Sequence, residues 1–229
     1  MATATVGTGY AGRRWLVLAL GHAAQTASCT FLYGIPFLVP ALRSTTDLDL
    51  TRIGAVVAAP GVGLLLTLIA WGAVADRYGE RRVMALGLGV SGVLLLVTAL
   101  SDAGVGALFA AFVAAGAATA SVNASSGRVV LGWFAERERG LAMGIRQTAQ
   151  PLGVGVAALT LPTAAQHWGF RPALLVPACA ALGVAALVAR FVVDPPRPVP
   201  SGAPTATSAP TAPSAPTAPA GPTAVPGDP

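Results

Sequence analysis

The sequence predicts an all-α, polytopic membrane protein: a bundle of six transmembrane helices followed by a disordered carboxy-terminal tail. Three observations predict it. Of the 229 residues, 54% are hydrophobic and 10% are charged, whereas a soluble domain carries about 25% charged residues. Six apolar runs approach or exceed the roughly 20 residues that a helix needs to cross the hydrocarbon core. The basic residues are all arginine, and they gather between alternate runs.

Residues 1–12 are polar, bear Gly and Thr, and read as a disordered amino terminus. Residues 13–194 read as one membrane domain. Its spans are predicted at 15–42, 53–75, 83–100, 105–127, 141–166 and 172–189. The first has no charge, the fifth holds Arg146, and the third and sixth are the shortest. Barrel strands would be about 10 residues of alternating polarity, but these runs are continuous and rich in Ala, Leu, Gly and Val. Pro60 and Pro151 fall inside runs, where a membrane helix tolerates proline if neighbours satisfy the freed carbonyls. Arg13-Arg14 ahead of an apolar stretch also suits a signal peptide. Cleavage near Cys29 would strand half a span, so the run is read as retained.

Arginine placement sets the expected orientation. Arg13, Arg14, Arg77, Arg81, Arg82, Arg128, Arg137, Arg139, Arg190 and Arg197 fall on one side, against Arg43, Arg52 and Arg171 on the other. The positive-inside rule puts the first group, and with it both termini, in the cytoplasm. The expected location is the cell membrane, with the lipid bilayer as solvent. The net charge of +5 does not point to nucleic acid, because no soluble domain presents a basic face. Cys29 and Cys179 both lie in apolar runs and read as small buried hydrophobes.

Composition changes at Pro195. Residues 195–229 are rich in Pro, Ala and Thr, and Ser-Ala-Pro-Thr-Ala-Pro occurs at 208–213 and again at 214–219. Such a stretch cannot bury apolar surface and reads as a disordered tail.

Polar residues are unevenly shared among the spans. Spans three and six have few or none. Span one carries His22, Gln25, Thr26, Ser28, Thr30 and Tyr33; span four carries Thr119, Ser121, Asn123, Ser125 and Ser126; span five carries Arg146, Gln147, Thr148 and Gln150. Polar side chains avoid lipid, so spans one, four and five should face a wet interior. The Ser and Thr residues read mainly as interhelical glue. Arg146, a charge within a span, is a functional candidate by default. His22, Gln25, Tyr33, Asn123, Arg146, Gln147 and Gln150 are the candidates for lining a solute pathway. No Asp or Glu lies inside the six runs, and an unpaired positive charge favours an organic anion. Gly140-x-x-x-Gly144 and Gly153-x-x-x-Ala157 allow close helix approach. No metal cluster, nucleophile arrangement or phosphate loop is legible, so neither a cofactor nor an enzyme is expected.

The loop after span two reads Gly72-Ala73-Val74-Ala75-Asp76-Arg77-Tyr78-Gly79-Glu80-Arg81-Arg82. It resembles the loop 2–3 signature of the major facilitator superfamily, Gly-x-x-x-Asp-Arg-x-Gly-x-Arg-Arg. Physically it suits a conformational gate. Gly72 would let span two approach a neighbour, Asp76 can pair with a cation, Gly79 allows a tight turn, and Arg77, Arg81 and Arg82 can form breakable ion pairs. The stretch from Asn123 to Arg128, with Trp133-Phe134 and Arg139 to Gln147, resembles the family's span 4–5 junction. Gly169-Phe170-Arg171 resembles the opening of its span six.

The resemblance implies alternating-access transport of a small solute, with this chain as the amino-terminal half of a secondary transporter. Two departures stand out. Phe112 occupies the place, four residues before Gly116, where many proton-coupled members have Arg. The family pairs two six-span halves around a midplane site, so Asp76 is expected to lack its usual partner. Alternative readings are a truncated or misread fragment without transport activity, and a half-transporter that needs a partner half or forms a homodimer.

Overall fold

The computed structural model describes residues 8–193. No strand occurs among the described residues. The helices are α1 Thr8–Leu32, α2 Val39–Thr45, α3 Leu50–Tyr78, α4 Glu80–Leu100, α5 Val105–Trp133, α6 Glu136–Gln147, α7 Ala149–Trp168, α8 Phe170–Ala173 and α9 Leu175–Phe191, with a 3-10 turn Ile35–Leu38 between α1 and α2. The first helix begins at Thr8, inside the segment expected to be disordered. The predicted tail, 195–229, and Arg197 lie outside the described residues.

Among the described residues five segments are long and apolar enough to cross a membrane: Gly12–Leu32, Leu50–Tyr78, Glu80–Leu100, Val105–Trp133 and Phe170–Phe191. They match predicted spans one to four and six. Three predicted spans are divided, the sixth only at Leu174 between α8 and α9. Span one breaks after Leu32, because Pro36 and Pro40 have no N–H to continue the α-helical ladder. Gly34 is needed at that bend: a Cβ there would lie 2.0 Å from the Thr30 carbonyl oxygen and 2.6 Å from Leu161. The predicted fifth span is split into α6 and α7 at Thr148. Pro151 has no N–H to give the Gln147 carbonyl, so the break falls one turn ahead of it, and Pro151 sits in the first turn of α7 where proline is tolerated.

Two one-residue links turn the chain sharply. Gly79 (φ 89°) joins α3 to α4, and Gly169 (φ 91°) joins α7 to α8; both lie in the region that favours glycine. The Gly79 turn is the one expected from the motif.

Close helix approach is set by small residues. A Cβ at Gly63 of α3 would lie 1.9 Å from the Val113 carbonyl oxygen, and one at Gly116 of α5 would lie 2.1 Å from that of Pro60. Across the same contact the Ala117 carbonyl accepts from Thr67 Oγ1 at 2.8 Å and Trp71 Nε1 at 2.6 Å. Gly153 packs α7 onto α1, its Cβ position 2.6 Å from the Thr26 carbonyl oxygen. Gly140 and Gly144 meet nothing within 4 Å, so only the second small-residue pair brings helices together in this fold.

One apolar cluster centres on Phe31, Leu38, Leu95, Phe112, Leu161 and Leu174. A second centres on Val17, Leu20, Met84, Leu88, Val122 and Val188. Phe112 is fully buried and meets Phe31 edge to face at 5.7 Å; its place in the helix is core. Outside, Leu86, Val90, Val93, Val97 and Leu100 of α4 are exposed, a helical-spacing stripe suited to lipid. Apolar exposure is greatest on α3, where Leu65, Leu66 and Ile69 are 73%, 74% and 88% exposed.

Candidate functional site

Arg146 lies in the last turn of α6, and the break at Thr148 turns the chain directly after it. The Thr148 hydroxyl donates to the Ile145 carbonyl at 2.6 Å, and the Leu152 N–H bonds the Thr148 carbonyl at 3.1 Å. The interruption is therefore capped from both sides. It leaves Gln147, Thr148 and Gln150 exposed and Arg146 half-buried.

Arg146 starts a relay across three helices. Its Nε and Nη2 donate to Ser126 Oγ of α5 at 3.1 and 2.8 Å, and its Nη1 donates to Gln147 Oε1 at 3.0 Å. Ser126 Oγ donates to Gln25 Oε1 of α1 at 3.2 Å, and Gln25 Nε2 donates to Asn123 Oδ1 at 3.0 Å. The direction is dictated by Arg, which can only donate. Ser126 must then send its proton to the Gln25 carbonyl oxygen, and the Gln25 amide must donate onward. Asn123 is left with a buried Nδ2 that has no partner. No carboxylate among the described residues pairs with Arg146; the acid–base pairs present are Arg14–Glu138, Arg52–Asp49 and Arg128 with Asp76 and Glu80.

His22 approaches from the same face of α1, with Nε2 3.0 Å from Thr148 Oγ1. The single Thr148 proton already serves Ile145, so His22 Nε2 is the donor. Of the seven pathway candidates, Gln25, Asn123, Arg146 and Gln147 thus meet in one network, and His22 joins the adjoining break. Tyr33 is 41% exposed and Gln150 is exposed; neither is bound into the network. Ser126 connects the whole relay, yet as one hydroxyl among many it reads as helix glue. Its position three residues after Asn123 was the available signal. Thr119, four residues before Asn123 on the same helix face, instead donates to Ser91 of α4 at 2.7 Å.

The loop motif forms a second constellation, at the arginine-rich end of the bundle. Asp76 is paired with Arg128 of α5. Arg128 also donates to the Gly72 carbonyl at 3.3 Å and lies 3.8 Å from Glu80. Asp76 finds a partner within this bundle, because α5 ends beside the α3–α4 turn. One expectation is corrected here. Gly72 makes no close helix contact, since a Cβ there would meet nothing within 4 Å; α3 approaches α5 closely further back, at Gly63. Arg81 donates from Nε to the Ala189 carbonyl at 3.1 Å, near the carboxy-terminal end of α9, where helical carbonyls lack partners. Arg77 stacks over Tyr78 at 5.7 Å, and Arg82 is exposed. On the same end Arg14 pairs with Glu138 at 2.5 Å, which ties the start of α1 to α6. Among the described residues no cluster of three or more His, Cys, Asp or Glu could hold a metal.

Residues 15–223 match the family model of the Major Facilitator Superfamily. The chain is 38% identical over 191 residues to an uncharacterised MFS-type transporter of Mycobacterium tuberculosis strain H37Rv, covering 81% of this chain and 41% of the relative. The same figures hold for a transporter of strain CDC 1551. An MFS antiporter of Candida albicans is 27% identical over 148 residues, covering 63% of this chain and 21% of that protein. The POT family transporter PepTSo superposes with a TM-score of 0.64 at 17% identity, covering 80% of this chain and 39% of that one; at that identity the likeness is one of fold. This chain therefore spans about two-fifths of the length of the mycobacterial relatives it matches. With nearly its whole length matched and a helical bundle of the same fold, the chain is a multi-pass membrane protein that belongs to the major facilitator superfamily.

Proposed function

We propose that this chain forms the amino-terminal half of a secondary transporter that moves a small solute by alternating access. The single observation that carries the reading is the Arg146–Ser126–Gln25–Asn123 relay. A guanidinium inside a membrane bundle is costly, and this one is balanced by neutral groups alone. In this reading His22, Gln25, Tyr33, Asn123, Arg146, Gln147 and Gln150 line one wall of the pathway, and an organic anion is the favoured solute. The loop motif, Gly72, Asp76, Arg77, Gly79, Arg81 and Arg82, acts as the gate, through the breakable pair of Asp76 and Arg128. The arginine-rich end faces the cytoplasm at the cell membrane, as the positive-inside rule requires.

The polar wall needs cover from lipid, which a second six-span unit supplies: another half or a second copy of this chain. Light scattering of protein purified in mild detergent, followed by solute flux after reconstitution, tests the proposal. Flux is expected only from assemblies containing a second unit. A monodisperse monomer that moves solute would overturn the requirement for a partner. A folded, partnered assembly that moves nothing would favour the transport-inactive alternative.

A further inference from the structure

We infer that the relay is a two-point recognition site for an organic carboxylate, in which Arg146 takes the carboxylate and Asn123 Nδ2 takes a second acceptor such as a carbonyl. The inference rests on the transport reading only in assuming that a solute reaches this face of the bundle.

The argument starts from what each group can do. The Nε–Nη2 edge of a guanidinium is a fork whose two N–H bonds match the two oxygens of a carboxylate. Here both prongs, at 3.1 and 2.8 Å, converge on the single neutral hydroxyl of Ser126. One oxygen satisfies two charged donors poorly, so an anion that brings two oxygens is a better partner. Gln147 Oε1 holds only Nη1 and does not compete for the fork. The other end of the relay is also a donor. Since Arg146 imposes the direction, the chain of bonds ends at Asn123 Nδ2, which is buried and unpartnered; a buried donor left unmet is costly. A relay with a cation at one end and an unmet N–H at the other, and with no acid along it, is complementary to acceptors and hostile to cations.

The two points differ in access. Arg146 is half-buried beside exposed Gln147 and Gln150, so the carboxylate can reach it in this conformation. Asn123 Nδ2 is shut from solvent and is reached only when the α1–α5 side of the relay opens. The second contact therefore couples recognition to movement of the bundle.

Purified protein in detergent, titrated in a calorimeter, provides the test. The probes are benzoate, N-benzoylglycine (which adds an amide carbonyl to the carboxylate), benzamide and benzylamine. Both carboxylates are expected to bind, N-benzoylglycine the more tightly, and the neutral and cationic probes are expected not to. Arg146→Gln should weaken both carboxylates by about ten-fold or more, the loss of one charged hydrogen-bond pair. Asn123→Ala should weaken N-benzoylglycine several-fold more than it weakens benzoate. If Arg146→Gln does not fold, Arg146→Lys carries the test, with several-fold weaker carboxylate binding expected from loss of the fork. Tighter binding of benzylamine or benzamide, silence from both carboxylates at millimolar concentration, or affinities indifferent to the Arg146 and Asn123 variants would overturn the inference. Flux separates it from the wider reading. Carboxylate binding without flux in a partnered assembly overturns transport and keeps the site; flux of a cation without carboxylate binding does the reverse.

Discussion

Asp76, in the last turn of α3, pairs with Arg128 in the last two turns of α5, so both members of the motif's charge pair belong to one bundle. Arg128 holds Glu80 and the Gly72 carbonyl as well. The α3–α4 turn is thereby fastened to α5 by contacts that water can replace. Contacts of this kind suit the proposed gate.

Asp76→Asn should therefore separate stability from function. The Asp76 side chain is 69% exposed, and exposed pairs contribute about 0–1 kcal/mol. Thermal melting in detergent should shift little. Flux by an assembly containing this chain should fall, because the charge that biases one conformation is gone. Unchanged flux would remove Asp76 from the gate.

Glycine substitutions should sort by geometry rather than by motif membership. Gly63→Ala or Gly116→Ala forces a methyl group to within 1.9 or 2.1 Å of a backbone oxygen. Overpacking of this kind costs about 1–3 kcal/mol, so melting temperature and yield should drop. Gly72→Ala meets open space and should melt at the wild-type temperature or slightly above it, as Ala favours helix. Equal damage at all three positions would contradict the α3–α5 contact described above.

Orientation is open to cysteine labelling. With Cys29 and Cys179 replaced by Ala, an impermeant maleimide on intact cells should label Ser44→Cys. Arg82→Cys should stay unlabelled until the cells are opened. Ser44 and Arg82 are both exposed and lie at opposite ends of the bundle. The reverse pattern would invert the proposed topology.

Pro151→Ala should join α6 to α7. The new N–H can bond the Gln147 carbonyl, which restores the helical ladder across Thr148. Amide exchange in the segment 147–153 should slow. Flux should fall if the break lets Arg146 and Gln147 adjust around the solute. Exchange as fast as in the wild type would show that the break has another cause.

Much of the fold was legible because hydropathy is a property of the linear chain. Long apolar runs, clustered arginines and the Gly79 turn mark where helices start and stop, with no knowledge of what they touch. The polar residues of spans one, four and five likewise identified the three helices that build the relay. What the sequence could not determine was the rotation and register of each helix against the others. Those are set by packing between segments far apart in the chain, where one backbone approaches another at Gly63, Gly116 and Gly153. That packing made Arg128 the partner of Asp76, turned Thr119 toward Ser91 and away from Asn123, and put Ser126 under the Arg146 fork. The break at Thr148 lay between the two cases. Pro151 was visible, but whether a membrane helix absorbs a proline or parts at it depends on whether neighbours meet the freed carbonyls, and only the tertiary structure decided that.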